Sequence, residues 1–98
     1  MLILTQNGNR VVKFKDITDL YINSIDDDPT IYCNTKYNED EYDIPLGIYK
    51  TKERCKEVLL EMLRAYSYVE QFKIEHISKL SGSSSSNSNL FIYYMPEN

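Results

Sequence analysis

The hydrophobic rhythm of this chain changes once, at Thr51, from a period of two to a period near 3.6. Before Thr51, apolar residues alternate in short runs separated by Asn, Asp, Gly and Pro. After it, Cys55, Val58, Leu59, Met62, Leu63, Tyr66 and Val69 recur at steps of three and four. A sequence written this way is neither all-helical nor all-β. It predicts an α+β fold: an antiparallel β-meander of about five strands, one long α-helix, and a C-terminal strand returning to the sheet.

The meander occupies residues 1–49. Met1–Gln6 and Arg10–Lys15 read as a hairpin around Asn7-Gly8-Asn9, because Asn and Gly tolerate positive φ. Asp16-Ile17-Thr18-Asp19 reads as a corner, and Leu20–Ile25 as the third strand. Asp26-Asp27-Asp28-Pro29 is a turn, followed by a fourth strand over Thr30–Tyr37. After Asn38-Glu39-Asp40 the fifth strand, Glu41–Tyr49, alternates most cleanly. Tyr42, Ile44, Leu46 and Ile48 take one face; Asp43, Pro45, Gly47 and Tyr49 take the other. Pro45 marks that strand as an edge or a bulge, since it cannot donate to a ladder.

The helix is expected over 50–80, with Thr51 as N-cap and Glu57, Leu60, Glu61 and Arg64 outside the apolar stripe. A break near Glu70 is compatible with the pattern. Residues 81–89 are Ser-rich, a connector composition. The last strand, 90–96, has apolar residues at every position from Leu90 to Met95, so it is expected to be central or covered on both faces. With 98 residues the chain is one domain, 1–98.

Composition narrows the chemistry. No apolar run approaches the roughly 20 residues that span a bilayer, and Met1–Gln6 has no basic segment of the kind that opens a secretory signal. Two isolated cysteines, Cys33 and Cys55, suit a reducing, cytoplasmic setting. His76 stands alone in a helical stretch with no marked nucleophile. No Cys/His cluster suggests zinc, and three Gly cannot build a phosphate loop. The reading is therefore no enzyme, no metal and no cofactor.

Charge is the remaining signal. The net −4 resolves into +3 over residues 10–15, −8 over 16–43, +3 over 50–56 and −2 beyond. That distribution argues against duplex nucleic acid. The helix nevertheless opens with Lys50, Lys52, Arg54 and Lys56 at its positive dipole end, an electrostatic mismatch. A nearby acidic residue such as Glu41 or Asp43 would offset it. So would an anion held by Lys50, Thr51, Lys52, Arg54 and Lys56. The acidic turn at Asp26, Asp27 and Asp28, with Tyr93 and Tyr94 of the last strand, forms a second candidate, a surface for a protein partner.

Three short motifs carry a resemblance: Leu2-Ile3-Leu4-Thr5-Gln6-Asn7-Gly8, Leu46-Gly47-Ile48-Tyr49-Lys50-Thr51-Lys52-Glu53-Arg54 leading into Glu57-Val58-Leu59, and Tyr94-Met95-Pro96-Glu97. With them the chain resembles small phage- and prophage-type proteins of Gram-positive bacteria. The resemblance implies a compact accessory protein and carries over no catalytic residue. The expected function is binding of a protein partner, with a homo-oligomer as one form of it. The alternative is a small-anion or nucleotide binder, a sponge of the anti-defence kind, using the basic helix start.

Overall fold

The structure, a computed structural model, describes residues 1–24, 28–36, 43–79 and 91–98, and for 73–79 only the backbone. Its strands are β1 (Leu2–Leu4), β2 (Val11–Lys13), β3 (Ile17–Asn23), β4 (Thr30–Thr35), β5 (Ile44–Ile48) and β6 (Ile92–Tyr94). One helix, α1 (Lys52–Lys79), separates β5 from β6. The fold is α+β, with five strands before the helix and one returning after it among the described residues.

The meander divides into two sheets of three strands among the described residues, ordered β2-β1-β6 and β3-β4-β5. The division falls after β2, where Phe14–Asp16 forms one turn of 3-10 helix. The β1–β2 hairpin turns through Gly8 at φ +75°, and the Asn7 side chain accepts from the Asn9 N–H at 2.9 Å. A Cβ at that φ would be strained, so glycine is required by the turn and not by crowding. β6 lies parallel to β1, pairing Leu2 with Ile92 and Leu4 with Tyr94. It is an edge strand with an exposed face, not the central or doubly covered strand that its composition suggested. Its parallel pairing needs a long crossover, which the helix provides.

β5 differs from its expected alternation. The register against β4 slips between Ile31 and Tyr32, so that Ile31 faces Gly47 while Tyr32 faces Pro45. Leu46 is the extra residue of this bulge, beside the Pro45 that signalled one. Ile44 and Leu46 point into the core as expected, but beyond the bulge the faces exchange. Ile48 turns outward, 52% exposed, and Tyr49 turns inward, 3% exposed.

The core is a single cluster between the sheets and the helix. Ile3, Val12, Tyr93 and Met95 enter from the first sheet, and Ile31, Cys33, Ile44 and Leu46 from the second. Cys55, Val58, Met62 and Val69 supply the helical stripe. The helix runs through Glu70 without a break. Leu63, expected on the stripe, lies on the exposed side with Leu60. The Phe14 and Tyr66 rings stack at 4.2 Å, docking the 3-10 turn on the helix.

Candidate functional site

Thr51 caps the helix as its position predicted. Its Oγ1 accepts from the Arg54 N–H at 3.0 Å, and its carbonyl accepts from the Cys55 N–H at 3.2 Å. Beside this start lies a cleft of about 330 Å³, lined by Asp28, Ile48, Tyr49, Lys50, Arg54, Glu97 and Asn98. Of the five residues expected to hold an anion, Lys50 and Arg54 reach it. Thr51 serves the backbone, while Lys52 and Lys56 are exposed and do not line the cleft. The basic run is therefore split by the geometry of a helix, on which neighbouring residues point different ways.

The charge in the cleft is mixed. Asp28 and Glu97 stand with Lys50 and Arg54. The Arg54 guanidinium donates through Nε to the Asn98 backbone oxygen at 3.0 Å and pairs with Glu57 at 3.1 Å. Glu57, Asp28 and Glu97 thus offset the cations at the helix start. Asp43 forms no salt bridge among the described residues, and Glu41 lies outside them.

Two residues that the sequence did not single out complete this corner. Gln6 donates its backbone N–H to Leu46, and its side-chain amide both donates to and accepts from Ile48, each bond 2.9 Å. It behaves as one more rung on the side of β5 away from β4 and so joins the two sheets. The same Nε2 lies 3.1 and 3.0 Å from the carbonyls of Pro96 and Glu97. Tyr49, inward because of the bulge, donates from its hydroxyl to the Pro96 carbonyl at 2.8 Å. Gln6, Tyr49 and Arg54 thus hold three successive backbone oxygens, those of residues 96, 97 and 98. The only sequence signal for Tyr49 is Gly47 two residues earlier, whose missing side chain leaves room for the ring. A Cβ there would come within 2.8 Å of the Tyr49 hydroxyl.

The expected protein-contact set also divides. Asp28 is exposed at the cleft, and Asp26 and Asp27 lie outside the described residues. Tyr93 is a core residue, so the expectation of two surface tyrosines on the last strand narrows to Tyr94. The Tyr93 hydroxyl is buried and meets no partner at hydrogen-bond geometry. Burial above all, and then the nearby Glu61 carboxylate, push its ionisation up to about 12. Burial also pushes Tyr49 up to about 12 and the Cys33 thiol to about 11, while Arg54 and Arg10 respectively oppose the shift. Cys55 is raised by burial as well. Both thiols are thus held in their unreactive form.

Around Tyr94 an apolar surface gathers that no single strand revealed. The outward side chains of the first sheet fall into two rungs, Val11–Leu4–Tyr94 and Lys13–Leu2–Ile92. Val11 is 55% exposed, Ile92 45% and Tyr94 64%, with Leu2 and Leu4 half-buried between them. Five of the six residues on this face are apolar. A second, shallower groove of about 340 Å³ follows Leu60, Leu63, Arg64, Ser67, Tyr68 and Gln71 along the helix.

Among the described residues there is no group of three metal-ligating side chains, and no helix is long and apolar enough to cross a membrane. Comparison with protein families, with curated proteins and with solved structures finds no match to the chain.

Proposed function

We propose that this chain is a non-enzymatic accessory protein, of the phage or prophage type its motifs resemble, that acts by binding a partner protein in the cytoplasm. The observation that carries the reading is the outer face of the first sheet. Soluble monomers rarely leave large contiguous apolar patches exposed, and those that exist commonly mark interaction sites. Here Val11, Leu4, Tyr94, Leu2 and Ile92 adjoin across all three strands, with Lys13 at one corner. Tyr94 suits such a role, having large apolar area at low entropic cost and a polar tip.

The test is a photo-crosslinking residue at position 94 in the producing cell, with position 19, a polar exposed site on β3, as comparison. A protein captured at 94 is identified, purified and titrated against the wild-type chain and Val11→Glu. The expected result is capture at 94 and affinity at least about thirtyfold weaker for Val11→Glu, the size of one lost hot-spot contact. No capture at 94, or equal affinity for both chains, overturns the reading.

The anion alternative draws on Lys50 and Arg54 in the cleft. It ranks second because Asp28 and Glu97 share that cleft and Arg54 is already bonded to Asn98 and Glu57. A melting-temperature rise with inorganic phosphate or cyclic nucleotides, lost in Arg54→Ala, would move it to first.

A further inference from the structure

The two edges of the first sheet are built differently. β2 is flanked and occupied by cations, Arg10, Lys13 and Lys15. Lysine on an edge strand is a common guard against pairing with another chain. β6 is Ile92-Tyr93-Tyr94, without charge, and its proline comes only at position 96.

The β1–β6 ladder fixes which backbone groups of β6 are spent. The Phe91 carbonyl accepts from Leu2, and the Met95 N–H donates to the Leu4 carbonyl. By the alternation of a parallel ladder, residues 91, 93 and 95 therefore face β1. The N–H and C=O of Ile92 and Tyr94 point away from it. Among the described residues, β6 has no neighbour on that side.

We propose that β6 pairs antiparallel with β6 of a second copy of the chain, across a two-fold axis at Tyr93. This deepens the partner-binding reading and rests on it, since Ile92 and Tyr94 belong to the same surface. The edge is self-complementary in this register. Ile92 of one protomer stands opposite Tyr94 of its partner, and each such pair exchanges two N–H···O=C bonds. The outward side chains then form two cross-strand pairs of a β-branched with an aromatic residue, a favourable combination.

Charge selects the same edge. Pairing through β2 would gather Arg10, Lys13 and Lys15 of both copies along one seam, whereas pairing through β6 brings no side-chain charge of the strand itself together. The product is a six-stranded sheet, β2-β1-β6 continued by β6-β1-β2 of the partner. Its cationic strands become the outermost edges. Because a two-fold contact uses one patch on both copies, it closes at the dimer.

Light scattering on the purified full chain over a concentration series tests the pairing. The wild type should rise to twice the 11.5 kDa protomer mass. Tyr94→Pro removes an outward N–H while sparing the bonds to β1, and should stay at the protomer mass. Tyr94→Lys, which keeps the backbone donor, should also stay monomeric, so the test survives if the proline variant fails to fold. Val11→Lys, on the same face but on the opposite strand, should still dimerise. A wild-type chain monomeric at every concentration overturns the pairing, as does a dimer that survives Tyr94→Lys or is lost equally in Val11→Lys. A monomer that still captures a different protein at position 94 overturns the pairing and leaves the partner-binding reading standing. A dimer in which position 94 captures only a second copy of the chain supports the pairing and makes that copy the partner.

Discussion

The two sheets share one core but are assembled from different distances along the chain. The second, β3-β4-β5, is a local antiparallel meander, each strand paired with the next. The first, β2-β1-β6, closes only when Ile92–Tyr94 reaches Leu2–Leu4 from the far side of the helix. Loop closure of that length carries an entropic cost that short hairpins escape. On that ground β6 is expected to join last and to open first, and the three-residue strands of the first sheet offer few bonds to hold it. It is also the sheet whose outer face is apolar. In the second sheet the exposed positions are Thr18, Asp19, Pro45 and Ile48, so a single large apolar side chain is exposed among them.

The same substitution in each sheet gives the largest expected effect. Ile3 and Ile31 are both fully buried. Ile31→Ala should cost about 2–5 kcal/mol of global stability in urea unfolding, a large share of the total for a small domain. Ile3→Ala removes as much buried surface, but its effect should concentrate in β1 and β6. Hydrogen exchange should show amides of Leu4 and Tyr93 opening well before those of Ile31 and Cys33. Equal shifts at all these amides in both variants would make the sheets one cooperative unit and end the distinction.

What joins the sheets supplies the next two effects. Gly47→Ala places a methyl group against the Tyr49 ring, which the Pro96 carbonyl and the core hold in place. The cost should be about 1–3 kcal/mol, in the range of overpacking, with Tyr49 displaced from residue 96. A crystal structure or the ring's NMR shifts would show that displacement, and an unmoved ring at no cost would contradict it. Gln6→Ala loses the rung that the amide makes with Ile48 and the remaining N–H that the carbonyls of Pro96 and Glu97 share. Much of this is exposed, so about 1 kcal/mol is expected in equilibrium unfolding. Faster exchange at Ile48 should accompany it, and unchanged exchange there would mean that Gln6 does not bridge the sheets.

Local chemistry was readable before the structure, and non-local chemistry was not. The change of period at Thr51 located the helix because a stripe of Cys55, Val58, Met62 and Val69 has one physical meaning. Thr51 as cap and Asn7-Gly8-Asn9 as turn follow from single-residue preferences. Pro45 announced an edge or a bulge, but not which residue would be the extra one, and that choice decides whether Ile48 or Tyr49 enters the core. The completion of the first sheet by β6 depends on Leu2 meeting Ile92, which no window of sequence contains. For the same reason, the apolar outer face is invisible strand by strand: Val11, Leu4 and Tyr94 form a rung only after pairing. At the candidate anion site the residue types were evident. The capture of Arg54 by residue 98 and Glu57 required the fold.

The smallest effect concerns a group shared by the first sheet and the core. Tyr93 lies on β6, and its buried hydroxyl makes no hydrogen bond of good geometry. Removing it in Tyr93→Phe should leave stability at neutral pH unchanged or raise it by up to about 1 kcal/mol, since no bonded partner is stranded. Alkaline solution provides the sharper comparison. In the fold this phenol ionises only near 12, against an ordinary value of 10. Below 10 both folded and unfolded chains keep the proton, and its contribution is intact. As pH rises from 10 toward 12 the unfolded chain releases the proton first, so stability falls. Cys33 adds the same sign of dependence between 9 and 11, and Tyr49 between 10 and 12. Urea midpoints across this range should therefore decline in the wild type and decline less steeply in Tyr93→Phe. A variant that loses more than about 1 kcal/mol at neutral pH would show instead that the hydroxyl has a partner, Glu61 being the nearby acceptor that bears on its ionisation. In that case β6 would be anchored to the helix by a hydrogen bond as well as by packing, and the first sheet would be less dependent on its ladder than its short strands suggest.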